Sequence, residues 1–251
     1  MKIAHPTLEV NVVRHCFQRC CGCSHASAFA RPWFMNPEQL EHDLRLLTPL
    51  LNISEFWVLG GEPLLHPELL RFLDISRASG IAPKIGVLTN GFLLPQMPDE
   101  FWQKIDLLRI SVYPNIDRAI LNGADEKCRQ FKVQRLGDNA GISEFYKLFK
   151  RVPDDGKKSW DNCIWRSCAW TVHDGYFFTC CSAPFFPESF MGLPWNVDGL
   201  KIDDGLNATK LLSCINNPKP YVSCTICENY TVKMPWHQSP NLDQWMKDST
   251  L

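Results

Sequence analysis

The sequence predicts an α/β fold in which an open, partial (β/α) barrel is followed by a small cysteine-rich unit of hairpin and helix. Over roughly the first 120 residues, apolar strand-like segments alternate with segments of helical periodicity, which indicates a mostly parallel sheet with right-handed crossovers. Beyond about Pro153, turns, aromatic residues and cysteines replace that pattern. A closed eight-unit barrel takes about 250 residues, so the first part is long enough only for a partial one. We therefore divide the chain into domains at 1–152 and 153–251.

The first domain is predicted to contain four strands and three helices, followed by a less regular stretch. The strands are 8–15, 53–61, 84–91 and 107–113, and the helices are 36–51, 66–80 and 98–105. The first helix has the clearest start, because Asn36 is a suitable N-cap, Pro37 suits the first helical position and Gln39 completes a capping box. In the less regular stretch we predict one more strand near 131–135 and a helix near 142–149.

Composition limits the partners and the compartment. A net charge of -1 among 251 residues gives no electrostatic footprint for nucleic acid or for an anionic membrane. No apolar run reaches the roughly 18 residues of a membrane span, and the start lacks the pattern of a signal peptide. We therefore expect a cytoplasmic protein. In that reducing compartment, clusters among its 12 cysteines indicate metal binding or catalysis rather than disulfides.

The first cysteine cluster follows the first predicted strand. Cys16, Cys20 and Cys23 have the spacing C-x3-C-x2-C, and three thiolates can hold an iron–sulfur cube while one iron stays open to another ligand. This motif, at this place in a βα unit, resembles the signature of the radical S-adenosylmethionine (radical SAM) superfamily. Cys21 falls outside the spacing and is interpreted as a small buried residue. Gly22 departs from the bulky residue that the family usually has before the third cysteine.

The resemblance implies the remaining parts of the first site. In that family the open iron chelates SAM, whose reductive cleavage gives a 5′-deoxyadenosyl radical that abstracts hydrogen, and an electron donor such as a flavodoxin or ferredoxin supplies the electron. The motif at Gly60, Gly61, Glu62 and Pro63 after the second strand is similar to the family's contact with the methionine amino group. Asn90, after the third strand, is predicted to point into the cleft, and Ser111 is the candidate contact to the SAM ribose.

A second cysteine set lies in the predicted C-terminal domain. A hairpin turn at Asp174-Gly175 would pair His173 with Tyr176. The spacing of cysteines around Gly175 resembles the SPASM or twitch domain of radical SAM enzymes. That resemblance implies a second [4Fe–4S] cluster on Cys163, Cys180, Cys224 and Cys227, with Cys168 and Cys181 as alternative ligands. Four thiolates suit zinc as well, so a zinc site stays open at this stage.

Three functions remain open. The first is a radical SAM oxidoreductase or epimerase that acts on a small, sugar-like or aminocyclitol substrate, and an epimerase would need a thiol hydrogen donor such as Cys214 or Cys128. The second is a peptide-modifying radical SAM enzyme, which the lack of a leader-recognition domain before Cys16 makes less expected. The third is a non-catalytic, zinc-stabilised binding protein. No residue stands out as a catalytic base.

Overall fold

The computed structural model of the chain describes residues 2–137, 141–167, 170–229 and 231–251. Its strands are β1 (Ile3–Val13), β2 (Leu51–Gly60), β3 (Lys84–Thr89), β4 (Leu107–Ile110), β5 (Gln134–Leu136), β6 (Glu144–Tyr146), β7 (Thr171–His173), β8 (Tyr176–Phe178), β9 (Leu200–Lys201) and β10 (Lys233–Pro235). Its α-helices are α1 (Pro37–Leu47), α2 (Leu69–Ser79), α3 (Asp99–Lys104), α4 (Arg118–Phe131), α5 (Lys157–Asp161), α6 (Phe186–Met191), α7 (Ala208–Ile215) and α8 (Leu242–Ser249). Within these ranges no helix has the length and apolar character that crossing a membrane requires.

One large sheet organises the molecule. It has eight strands in the order β5-β4-β3-β2-β1-β7-β8-β9. Neighbours from β5 to β7 pair in parallel, whereas β8 and β9 join antiparallel. The edge strands β5 and β9 do not pair with each other in the described residues, so the barrel stays open. The α/β fold with an open, partial barrel is confirmed.

The predicted elements of the first domain form close to their expected positions. Asn36 caps α1 by accepting a hydrogen bond from the backbone N–H of Glu38. Gly80 ends α2 in the left-handed conformation that glycine adopts without strain. The helix α1 ends at Leu47 rather than at residue 51, because Pro49 has no N–H and its ring would clash with the preceding turn.

The stretch between β4 and the hairpin differs from the sequence prediction. The helix α4 was not predicted, and the expected strand near 131–135 begins only at Gln134. The predicted helix near 142–149 is wrong, because this segment contains β6, which pairs antiparallel with β10. Its apolar residues Ile142, Phe145 and Leu148 recur every three positions, which imitates a helix, but pairing with a distant strand decides the conformation.

The predicted hairpin forms as expected and extends the main sheet. His173 pairs with Tyr176, and both Asp174 and Gly175 have positive φ angles, 44° and 82°, as a type I′ turn requires. Its first strand, β7, also pairs in parallel with β1. The hairpin thus links the cysteine-rich half to the barrel, and the division at residues 152 and 153 stays a prediction.

Alternation along β1 separates the core from the opposite face of the sheet. Leu8, Val10 and Val12 are fully buried in the main hydrophobic cluster, which also contains apolar residues of α1 and α2. Successive side chains of a strand point to opposite faces. Glu9 and Asn11 therefore point away from these helices, toward the inside of the partial barrel.

Candidate active site

A cavity of about 400 Å³ lies at the carboxyl ends of the parallel strands. In α/β folds of this kind, this edge of the sheet is where ligands bind. The predicted site residues that line the cavity are Cys16, Cys20, Cys23, Gly60, Gly61, Asn90, Ser111 and Cys181. Elements that are far apart in the sequence thus contribute to one enclosed space.

The three thiols of the first set lie close together. Burial raises the pKa of Cys16 to about 12, and negative charges on Cys23, Glu62 and Cys20 add to the rise, while the Gln18 N–H opposes it. Burial also raises the pKa of Cys20 to about 12, again with a contribution from Cys23. Buried thiols of this kind become thiolates when a metal binds them. Three convergent sulfurs beside a cavity fit an iron–sulfur cluster that leaves one position open.

Hydrogen-bond donors from distant segments reach two of these sulfurs. The backbone N–H of Gln18 lies 3.4 Å from the Cys16 sulfur, and the side-chain amide of Asn90 lies 3.6 Å from it. The indole N–H of Trp236 lies 3.2 Å from the sulfur of Cys20. Such donors tune iron–sulfur clusters, and sequence reasoning did not identify Trp236 because its contact spans more than 200 residues.

Cys21 lies apart from the triplet. Its side chain is fully buried, and a hydrogen bond of 2.6 Å joins its sulfur to the hydroxyl of Ser239. The cavity lining among the described residues does not include it. This position agrees with the interpretation of Cys21 as a small buried residue beside the site.

Gly22 is required by its surroundings. Its φ of 71° is in the left-handed region, and a Cβ there would lie 2.2 Å from the carbonyl oxygen of Tyr146 and 2.7 Å from the methyl carbon of Met234. A bulky residue before the third cysteine therefore cannot fit in this chain. The cavity wall beside the triplet is instead aromatic, with Tyr113, Phe145 and Tyr146.

Two glycines allow the loops after β1 and β2 to approach each other closely. A Cβ on Gly60 would lie 2.3 Å from the carbonyl oxygen of Val13, and one on Gly61 would lie 2.2 Å from that of His15. The N–H of Gly61 donates to the Val13 carbonyl at 2.6 Å. Close packing of these backbones places the glycine loop directly beside the thiol loop.

Glu62 holds two loops together rather than lining the cavity. Its carboxylate accepts hydrogen bonds from the hydroxyl of Thr89 (2.6 Å) and the N–H of Asn90 (2.8 Å), and from the N–H of Leu64 (3.0 Å). Burial raises its pKa to about 7, and these hydrogen bonds oppose the rise. Glu62 and Pro63 are absent from the cavity lining of the described residues, so the motif reaches the cavity through its glycines.

The second set of thiols also converges. Burial raises the pKa of Cys180 well above its usual range, and charges on Cys181, Cys163 and Cys227 add to it. Burial raises the pKa of Cys224 to about 12, with contributions from Cys227 and Cys163. The structure thus brings together Cys163, Cys180, Cys224 and Cys227, a set whose chemistry suits an iron–sulfur cluster or zinc.

The remaining cysteines differ in their access to the cavity. Cys181 lines it, and the charge of Glu9 is the second cause, after burial, of its raised pKa. Cys128 packs in the main core and Cys214 lies at its margin; neither belongs to the described cavity lining. Cys168, the alternative ligand, lies outside the described residues.

Among the lining residues that the sequence analysis missed are two charged residues of the main sheet. Glu9 and Arg109 line the cavity from β1 and β4. The available signal was a single charged residue within an otherwise apolar strand, in "LEVNVV" and in "LLRIS". Parallel strands buried on both faces are expected to be continuously apolar, so each charge marks a position that faces a polar cavity.

Comparison with protein families gives a match over more than half of the chain. The model described as the Radical SAM superfamily matches residues 10–158. Two curated relatives, both named GTP 3′,8-cyclase, come from Crocosphaera subtropica (27% identity over 124 residues) and Microcystis aeruginosa (29% over 112 residues). The matches cover 45% and 42% of this chain but only 36% and 33% of the relatives, so the chain matches about a third of their length.

Comparison with solved structures gives matches of low sequence identity. BtrN in complex with AdoMet and 2-DOIA is 15% identical, with a TM-score of 0.50, and the match covers 87% of this chain and 85% of BtrN. Streptococcus suis SuiB bound to S-adenosylmethionine is 13% identical, with a TM-score of 0.45, covering 87% of this chain and 67% of SuiB. At such identities, the likeness to BtrN concerns the fold alone.

Proposed function

We propose a reaction for this chain from the premise that it belongs to the radical SAM superfamily. The chain cleaves SAM reductively and oxidises a small, sugar-like or aminocyclitol substrate at a carbon that bears a hydroxyl group. With a [4Fe–4S] cluster and SAM bound, the site supplies a 5′-deoxyadenosyl radical that abstracts hydrogen from the substrate. An electron donor such as a flavodoxin or ferredoxin delivers the electron for that cleavage.

The observation that carries this proposal is the composition of one cavity. The thiol triplet forms part of its wall, and Cys181, which directly follows Cys180 of the second thiol set, forms another part. A substrate in this space of about 400 Å³ would lie between the two sets. Its size suits a small molecule.

The residues of the cavity wall have separate tasks in this proposal. Cys16, Cys20 and Cys23 hold the cluster, and the loop of Gly60 and Gly61 offers backbone groups to the amino acid portion of SAM. Asn90 and Ser111 provide polar contacts from the ends of β3 and β4. The aromatic wall of Tyr113, Phe145 and Tyr146 takes the place of the bulky residue that Gly22 lacks, and it keeps water from the reacting carbon.

The second thiol set is proposed to hold a [4Fe–4S] cluster of the twitch or SPASM type. Its four thiols would occupy all ligand positions, so such a cluster would not bind SAM and would instead accept the second electron of the oxidation, while the hydroxyl proton passes to a base or to water. BtrN supports this assignment only through its similar fold. Zinc on these thiols is the competing occupant.

The two relatives named GTP 3′,8-cyclase suggest a nucleotide substrate, but the charged residues of the cavity lining disfavour one. A nucleoside triphosphate needs several cationic side chains around its phosphates. Among the described lining residues, Arg109 is the only lysine or arginine, and Glu9 supplies an opposing charge. A small molecule without a polyphosphate group is the better match.

Two alternatives within the superfamily remain. Epimerisation needs a thiol that can reach the substrate, and Cys181 now meets that condition better than Cys214 or Cys128 because it lines the cavity. Peptide modification would place one side chain of a peptide in the same space.

The test is mass spectrometry of reactions that contain SAM, a reductant and candidate cyclitols or amino sugars. Oxidation gives a product that has lost two hydrogen atoms, with one 5′-deoxyadenosine per product. A product of unchanged composition that carries deuterium from deuterated water, and that disappears in Cys181→Ala, would replace oxidation by epimerisation. A protein that contains zinc and no iron after anaerobic reconstitution would contradict the whole proposal.

A further inference from the structure

Glu9 and Arg109 lie on the inner face of the partial barrel, on two different strands. Glu9 is directly opposite Trp57 of β2 in the sheet register. The guanidinium carbon of Arg109 lies 5.1 Å from the centre of the Trp57 ring. Trp57 thus neighbours both charged residues, and both of these line the cavity that also contains the thiol triplet.

Neither charged group forms a hydrogen bond or a close ion pair within the described residues. In that part of the chain no hydrogen bond or ion pair joins the carboxylate of Glu9 to another side chain or to the backbone, and the guanidinium of Arg109 lies over the face of Trp57. Burial raises the pKa of Glu9 to about 7, and the charge of Arg109 opposes the rise. Glu9 is only partly exposed, where a carboxylate is normally hydrogen-bonded, and Arg109 is exposed. Because both line the cavity and neither is held by a hydrogen bond, both are available to a ligand.

Their depth in the barrel distinguishes them from the expected SAM contacts. Ser111 lies two residues closer to the carboxyl end of the sheet than Arg109 and points to the same face. Glu9 precedes the first thiol, Cys16, by seven residues and belongs to the strand rather than to the thiol loop. The pair therefore lies below the loops that would surround SAM.

We propose that Glu9 and Arg109 are the substrate-recognition pair of this cavity. Glu9 accepts hydrogen bonds from ammonium or hydroxyl groups of the substrate, and Arg109 donates to its oxygen atoms, with the ring of Trp57 supporting the guanidinium. The ligand class is a small amino-substituted polyol that has no net negative charge, because the pair itself is neutral overall. This inference rests on the proposed function, which places a small polar substrate in the cavity.

The proposed pair predicts that a preference for amino over hydroxyl compounds depends on Glu9. A charge-assisted hydrogen bond is roughly twice as strong as a neutral one, so an amino group opposite Glu9 should strengthen binding about tenfold over a hydroxyl group. Replacing Glu9 by glutamine keeps the size of the side chain and removes its charge. The preference for the amino compound should then disappear, while the hydroxyl compound binds about as before.

The experiment is calorimetric titration of the anaerobically reconstituted protein in the presence of SAM. The probes are 2-deoxystreptamine, scyllo-inositol and GTP. In the wild-type protein we expect 2-deoxystreptamine to bind about tenfold more tightly than scyllo-inositol and GTP to bind most weakly. Glu9→Gln should abolish the difference between the two cyclitols, and Arg109→Gln should weaken both, with Arg109→Lys intermediate because it keeps the charge but loses the planar fork.

Matched controls separate recognition from folding. Glu41→Gln and Arg118→Gln make the same changes at exposed positions of α1 and α4 and should leave every affinity unchanged. SAM binding, measured in all variants, should be retained. An amino preference that survives in Glu9→Gln, GTP as the tightest probe, or no binding of either cyclitol to the wild-type protein would each overturn the recognition pair.

The outcome is separable from that of the proposed function. Turnover assays with the same cyclitols report on oxidation, whereas calorimetry reports on recognition. An amino preference that depends on Glu9, without any oxidised product, would retain the pair and refute the oxidation. If an oxidised product forms, and neither its formation nor the binding of the cyclitols changes in Glu9→Gln and Arg109→Gln, the oxidation is retained and the recognition pair is refuted.

Discussion

The two thiol sets of this molecule consist of the same side chain but differ in whether they line the cavity. Cys16, Cys20 and Cys23 form part of the wall of a cavity of about 400 Å³. The second set, Cys163, Cys180, Cys224 and Cys227, has one thiol more, and none of the four belongs to the described lining of that cavity. Three thiols beside a space leave a metal position for a ligand, whereas four fill it. Under the proposed assignment, surroundings and ligand number together therefore separate a reactive site from a closed one.

The sets also differ in how the fold holds them. Trp236 and Asn90 approach the first set from the C-terminal segment and from the end of β3. In the second set, the N–H of Asn229 donates to the sulfur of Cys227 at 3.3 Å, from two residues away. The donors to the first set thus include groups from distant segments, whereas the donor to Cys227 is local. The backbone of the knuckle at 224–227 is itself held by the fold, because the N–H of Lys150 donates to the Ile226 carbonyl at 2.9 Å and the hydroxyl of Ser159 donates to the Cys227 carbonyl at 2.6 Å.

The largest effect is expected from single changes in the first set. Cys16→Ala, Cys20→Ala and Cys23→Ala should each abolish cleavage of SAM to 5′-deoxyadenosine, because the proposed cluster keeps its open position only if all three thiols hold it. Cys21→Ala is the matched control, since its sulfur bonds to Ser239 instead, and it should retain much of the cleavage. An equally complete loss in Cys21→Ala would mean that the ligand assignment is wrong.

A smaller and more selective effect is expected from the second set. The double variant Cys224→Ser and Cys227→Ser should lower iron and sulfide from about eight to about four per chain. Cleavage of SAM should persist in part, because the triplet is in the separate loop that follows β1, while product formation falls much further. Full product formation in this variant would refute the role of the second set as electron acceptor.

The sequence predicted local features of the fold correctly, whereas features that depend on pairing between distant segments were missed, and the reason is physical. The spacing of Cys16, Cys20 and Cys23 and the turn at Asp174-Gly175 are local features, and local sequence specifies them. The conformation of residues 142–149 depends on pairing with β10, which lies almost 90 residues away, so local periodicity gave a helix where a strand forms. Strand alternation shows that Glu9 and Arg109 share the inner face of the sheet only after the register of the sheet is known.

Contacts to the thiols show the same distinction. Sequence analysis located the sulfur atoms but not their donors, because Trp236 reaches Cys20 from the opposite end of the chain. Nothing in the run "KMPWHQ" indicates such a role. Likewise, the choice of Gly22 became explicable only once the carbonyl of Tyr146 was found in the space that a side chain would need.

The smallest expected effect tests whether a contact from a distant segment changes the reduction potential of a cluster on the first set. Trp236→Phe removes the indole N–H, 3.2 Å from the Cys20 sulfur, but keeps a ring that can stack on Tyr113, whose centre is 5.5 Å away. A donor to a cluster sulfur stabilises the reduced, more negative state, so its loss should lower the reduction potential of the first cluster by about 30–60 mV, or roughly three- to tenfold in the reduction equilibrium. A redox titration followed by electron paramagnetic resonance measures this shift. Trp195→Phe is the control, because Trp195 packs on His173 and Tyr176 instead. An unchanged reduction potential in Trp236→Phe, with full iron content, would show that Trp236 positions the thiol loop but does not alter the potential of the cluster. The two thiol sets would then differ in their access to the cavity but not in the effect of distant donors.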